Sequence, residues 1–183
     1  MKPFELIAQI IGIIAMGFNI LSYQQKTRSR AIGFQFFGTA LFAVNFFMLG
    51  AVVGGILNIV GTVRSVVFIY REKFRADHPA WLIGFIAAYL ASYILTFTLF
   101  DKEPTALNLI IEFFPVIGMV ALTFSYRLTD AKAIRRFGLI SSPSWLVYNI
   151  ANFSIGAICC EVLSLCSIII GIIRLDRNSK TTK

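Results

Sequence analysis

The chain has 183 residues, of which 57% are apolar and only 14% charged, and its mean hydropathy is +0.78. Ordinary soluble domains carry roughly 25% charged residues, so this composition excludes both a disordered chain and a water-soluble globule. The net charge of +8 sits in short gaps between apolar runs, a pattern that fits anionic lipid and membrane orientation and gives no basic face for nucleic acid.

Seven apolar stretches follow in order, at 4–22, 32–49, 51–70, 81–100, 105–125, 137–153 and 155–173. Each is about long enough for a helix to cross roughly 30 Å of hydrocarbon. The first has no positive leader or small-residue cleavage site and is read as a retained helix. Pro3, Pro79 and Pro104 stand at or just before helix starts, where a missing N–H costs nothing. Pro115 and Pro143 fall inside stretches five and six, predicting kinked helices and hinge positions.

The cations predict the orientation. With seven crossings, one side receives the gaps near 23–31, 71–80 and 126–136 together with the C-terminal tail. Fourteen of the 17 Lys and Arg residues lie there, against only Lys2 and Lys102 on the other side. That bias predicts an outside N-terminus and a cytoplasmic C-terminus. The seventeenth cation, Arg64, lies within stretch three. Its side chain either snorkels to the cytoplasmic surface or pairs with Glu112 or Glu161 across the bundle.

The stretches group as three, one and three. Shifting the chain by 103 residues lays 9–71 over 112–174, so that Tyr23 meets Tyr126, Met16 meets Met119, Arg71 meets Arg174 and Asn58 meets Glu161. An odd helix between two such halves gives both the same membrane orientation. The expected fold is therefore an all-α integral membrane protein of seven transmembrane helices, two parallel three-helix repeats joined by a linker helix. Residues 1–183 form a single membrane domain, with repeat one at 4–71, the linker at 81–100, repeat two at 105–174 and a tail at 175–183.

Several polar residues share one depth. Gln9, Asn58, Glu112 and Glu161 lie six to eight residues inside their helix starts, roughly 9–12 Å deep. Asn45, Asn149 and Asn152 approach the same band. A carboxylate at such depth has to face protein or water. Asn58, Glu112 and Glu161 are read as a hydrated pocket for a polar solute. The other three asparagines are read as inter-helical hydrogen-bonding glue. Phe42 and Trp145 either stack on a solute ring or serve only as packing. His78 is read as a solvated loop residue. Cys159, Cys160 and Cys166 share one apolar run without a C-x-x-C spacing and are read as packing residues, not as a metal or redox site. No catalytic dyad, zinc motif or phosphate loop is present, so no enzyme, metal or cofactor is expected.

Asn45-Phe-Phe-Met-Leu-Gly50, Asn58 with Arg64, Phe114-Pro-Val-Ile-Gly118, Trp145-Leu-Val-Tyr-Asn149, Ser154-Ile-Gly156, Glu161 and Ile172-Ile-Arg174 together resemble the YgjV family of bacterial inner-membrane proteins. The resemblance implies a multi-pass protein of that membrane. More distantly, the three-plus-one-plus-three plan resembles the SWEET, SemiSWEET and PQ-loop group, with Ser22-Tyr-Gln-Gln-Lys-Thr-Arg-Ser29 in the place of the PQ-loop signature but lacking its proline. In that group a Trp and an Asn sixteen residues later line a central sugar pocket. Trp145 with Glu161, and Phe42 with Asn58, keep that spacing here. The resemblance implies a transporter or facilitator of a small polar metabolite working by alternating access, with a receptor or assembly protein of the same fold as the alternative. The expected partners are the bilayer and such a solute, and a second copy of the chain stays open.

Overall fold

The computed structural model describes residues 3–49, 52–99, 102–151 and 155–177. All the regular structure among them is helical. The helices are α1 (Pro3–Tyr23), α2 (Arg28–Met48), α3 (Val52–Ile69), α4 (Pro79–Thr98), α5 (Ala106–Arg127), α6 (Ala131–Ala151) and α7 (Ile155–Gly171). A π-helical segment, Ile172–Arg177, continues α7.

The seven helices coincide with the seven apolar stretches, and the start signals explain several boundaries. Pro79 takes the first position of α4 behind His78, whose Nδ1 accepts from the Ala80 N–H at 3.2 Å. His78 is therefore a helix cap, not merely a solvated loop residue. Thr105 caps α5 by accepting from the Asn108 N–H at 3.2 Å. Two helices begin earlier than the apolar pattern predicts, α2 at Arg28 and α6 at Ala131. Their first turns contain Arg28 and Arg30, and Lys132, Arg135 and Arg136, all assigned to loops by hydropathy. Arg28 and Arg135 are accommodated there because each donates to backbone carbonyls of other segments.

Five helices are long and apolar enough to cross a bilayer: α1, α2, α4, α5 and the run Ala157–Asp176 of α7. The apolar part of α3, Gly54–Ile69, is shorter. Helix α6 is the most polar, and it turns Ser141, Ser142, Ser144 and Asn149 inward. Large apolar side chains cover the outside, including Ile13, Ile83 and Leu107, each more than 60% exposed. Such a surface is stable only against lipid or another apolar partner.

Helix α1 packs on α2 and α2 on α3, while α5 packs on α6 and α6 on α7. Contacts of α1 with α7, α3 with α5 and α2 with α6 join these two groups, and α4 lies against α3 and α5. The core runs through the aromatic cluster of Phe68, Phe85, Tyr89 and Tyr126. Pro115 and Pro143 both lie within continuous helices, the first buried and the second exposed.

Candidate functional site

A cavity lies between α1, α2 and α3 on one side and α5, α6 and α7 on the other. It encloses about 750 Å³ of non-protein space, its open mouth included. Four of the residues singled out from the sequence line it together: Phe42, Asn58, Trp145 and Glu161. Their helices explain why. Phe42 and Asn58 face inward from α2 and α3, and Trp145 and Glu161 occupy the corresponding places on α6 and α7.

The local contacts set what each group offers. The Asn58 Nδ2 gives one hydrogen to the Gly54 carbonyl of its own helix at 2.8 Å, which leaves its second N–H and the Oδ1 acceptor for a ligand. Glu161 of α7 and Ser142 of α6 both line the cavity. Phe42 stacks on Phe46 with ring centroids 5.9 Å apart. Trp145 lies edge-on to Tyr148 at 5.9 Å and is held beside Gly118, where a Cβ would meet its ring carbon at 3.1 Å. Asn149, read from the sequence as glue, also lines the cavity.

Arg64 lines the cavity at 1% exposure. It neither snorkels nor pairs with an acid. Its Nη1 donates to the Met119 carbonyl at 3.1 Å and to the Tyr89 and Thr123 hydroxyls at 3.4 Å. The Tyr126 ring covers the guanidinium with its centroid 4.7 Å away. Among the described residues no acceptor reaches Nε. Leaving a buried polar group unmatched costs roughly 1–3 kcal/mol, and more when it is charged. The sequence signal for this site was a single cation inside an apolar helix. It marked the residue without indicating its partners.

The structure separates the remaining candidates from the cavity. Glu112 is buried in an ion pair with Lys102, so it serves the junction between α4 and α5. Asn45 donates to the Ala8 carbonyl at 2.7 Å, tying α2 to α1 as glue. Gln9 is exposed on the outer face. Asn152 lies outside the described residues. Of the cysteines, Cys160 is buried and does line the cavity, whereas Cys159 and Cys166 are exposed.

One end of the bundle is cross-tied by polar side chains that hydropathy alone does not single out. Arg28 Nε donates to the Tyr126 carbonyl at 3.0 Å, and Nη2 reaches the Phe68 carbonyl at 3.3 Å. Arg135 Nη1 donates to the Gln25 carbonyl at 2.9 Å and the Tyr23 carbonyl at 3.4 Å, and its guanidinium pairs with Asp176. Gln24 Nε2 donates to the carbonyl and hydroxyl of Ser167, at 2.6 and 2.9 Å. Just inside, the Tyr126 hydroxyl donates to Gln35 Oε1, and Gln35 Nε2 donates to the Ser22 hydroxyl at 3.2 Å. The arginine bonds occupy carbonyls at or just beyond the ends of α1, α3 and α5, and Tyr23 and Gln35 at this end line the cavity.

An apolar exterior, an all-helical bundle and an interior cavity lined by polar side chains define a multi-pass integral membrane protein. The model of the Imp-YgjV family, described as bacterial inner membrane protein, matches residues 6–179, and the chain belongs to that family. The protein is therefore a multi-pass protein of the bacterial inner membrane. No curated protein and no solved structure matches it.

Proposed function

We propose that the protein is a secondary transporter or facilitator of a small polar metabolite. On this reading all seven helices cross the membrane as two parallel three-helix units joined by α4, and the cavity is exposed alternately to either side. The chain then binds and moves a solute without catalysis or a cofactor. The observation that carries the reading is the shared lining of one cavity by Phe42 and Asn58 from one unit and Trp145 and Glu161 from the other.

The helix pairings support the repeat. Replacing α1, α2 and α3 by α5, α6 and α7, and the reverse, turns each contact among these six helices into another that is present. Transporters built from parallel repeats hold substrate at the interface of the two units. Pro115 and Pro143 are the hinge candidates, since each removes one backbone hydrogen bond from its helix.

Flux tests the reading. Purified protein in proteoliposomes is expected to give saturable, protein-dependent uptake of at least one small polar metabolite from a labelled panel. Counterflow in preloaded vesicles is expected for the same solute. Saturable binding without flux would instead establish a membrane receptor of the same fold.

A further inference from the structure

We infer that Arg64 receives an oxyanion, a carboxylate or a phosphate, on the ligand that occupies this cavity; the inference rests on the proposed solute-binding role of the site. The guanidinium is held rigidly from one edge. The Met119 carbonyl and the Tyr89 and Thr123 hydroxyls all gather on Nη1, and the Tyr126 ring covers a face. Nε is buried without an acceptor among the described residues.

Charge adds a second requirement. Among the described residues no carboxylate pairs with Arg64. Glu112 is taken by Lys102, and Glu161, which lines the same cavity, makes no ion pair with Arg64. An arginine stays protonated at any ordinary pH, so the cavity holds a permanent cation whose protein partners are all neutral. A sugar hydroxyl would satisfy the Nε hydrogen and leave that charge uncompensated in a low-dielectric interior. An oxyanion satisfies both, because its oxygens match the edge of the guanidinium fork.

Position describes the rest of the ligand. Arg64 stands six residues beyond Asn58 on α3, about 9 Å along the helix axis. The anionic group therefore sits toward the cross-tied end of the bundle, where Tyr23 and Gln35 also line the cavity. The remainder extends toward Asn58 Oδ1 and the Glu161 carboxylate, both acceptors that suit hydroxyl or amine donors.

The test is titration of the protein in phosphatidylcholine nanodiscs with inorganic phosphate and glycolate, using glycerol and glucose as neutral probes, read by calorimetry and by the ligand-induced shift in unfolding temperature. Saturable binding of at least one anion is expected. It should weaken at least tenfold in Arg64→Lys, which keeps the charge and loses the fork, and vanish in Arg64→Gln. Glu161→Gln removes the other charge of the cavity and is expected to tighten anion binding several-fold, so it decides the matter even where the Arg64 variants fail to fold. Discs containing phosphatidylglycerol separate the two sources of the group: competition with phosphate identifies a lipid headgroup at Arg64, and lack of competition a free solute. Binding of the neutral probes alone, or unchanged or weaker anion binding in Glu161→Gln, would overturn the assignment and leave the transport reading intact. An anion that binds but never crosses in proteoliposomes would do the reverse.

Discussion

Gly118 approaches Ser141 so closely that a Cβ on the glycine would stand 3.2 Å from the Ser141 carbonyl oxygen. Positions 103 residues earlier make the same approach, since a Cβ on Gly38 would lie 3.3 Å from the Ala15 carbonyl. Close crossings of this kind rely on small residues to bring two backbones together. The recurrence at equivalent places in α1–α2 and α5–α6 supports the proposed repeat. Gly118→Ala also drives a methyl against Trp145, so it is expected to cost about 1–3 kcal/mol, the usual penalty of overpacking. Gly84→Ala meets nothing within 4 Å and is expected to be neutral or to stabilise by up to about 1 kcal/mol. Equilibrium unfolding of the two variants in detergent micelles makes the comparison.

Arg135 ties three segments at once, through the Tyr23 and Gln25 carbonyls and the Asp176 carboxylate. Its neighbour Arg136 is exposed. Removing one partner of a buried ion pair typically costs about 3–5 kcal/mol, whereas an exposed cation contributes little. Arg135→Gln should therefore lower the unfolding temperature strongly and Arg136→Gln hardly at all. Equal effects would show that charge number at this end matters more than the cross-tie.

The helices were legible because a membrane chain writes its spans as apolar runs, and all seven runs became helices. The starts of α2 and α6 were not, because Arg28 and Arg135 look like loop cations until their carbonyl partners on other helices are known. Asn58 and Glu161 were found through depth and the 103-residue shift, and their pairing with Phe42 and Trp145 through what the resemblance to the SWEET and PQ-loop group implies. Ser142, Gln35 and Asn149 were harder to place. In a bilayer the lipid face is as apolar as the core, so periodicity does not say which side of a helix faces inward. Glu112 shows the converse error. Its depth matched that of Glu161, but depth says nothing of azimuth, and Lys102 reaches it first.

Asp77 lies in the segment between α3 and α4, where Arg71 hydrogen-bonds its carboxylate and holds it below its ordinary value of 3.8. A depressed carboxyl contributes order above its unfolded pKa, and the contribution disappears as pH falls through the lower folded value. The Arg71–Asp77 tie should thus be intact from neutral pH to about 4 and weaken only below it. Protease nicking between Arg71 and His78, followed against pH, is expected to rise in that acid window. In Asp77→Asn it should already be raised at neutral pH, and a wild-type-like profile there would count against the tie.

Reporter fusions check the orientation that the cation bias predicts. Fusions after Arg75 and Arg136 should be active only with a cytoplasmic reporter, and a fusion after Lys102 only with a periplasmic one. Lysines and arginines resist transfer across the bilayer near helix ends, and the bias here is lopsided enough to dominate. A cytoplasmic signal after Lys102 would break the alternation and with it the parallel relation of the two units.

Asn58 gives the sharpest reading of how the cavity recognises a solute. Its amide nitrogen gives one hydrogen to the Gly54 carbonyl at 2.8 Å, so its second N–H and Oδ1 are left to meet a ligand. Asn58→Ala removes both and is expected to weaken binding by roughly 1–3 kcal/mol, the cost of leaving a buried polar partner on the ligand unmatched. Asn58→Asp keeps an acceptor, and it adds a second anion level with Glu161 while giving up the bond to Gly54. Cationic donors should then gain affinity and neutral hydroxyl donors lose it. Phe42→Ala removes apolar surface stacked on Phe46 without touching a polar contact, so it reports on stacking alone. Calorimetry on one bound solute across the three variants separates the contributions. A Phe42→Ala loss larger than that of Asn58→Ala would make ring stacking, not hydrogen bonding to Asn58, the main source of recognition.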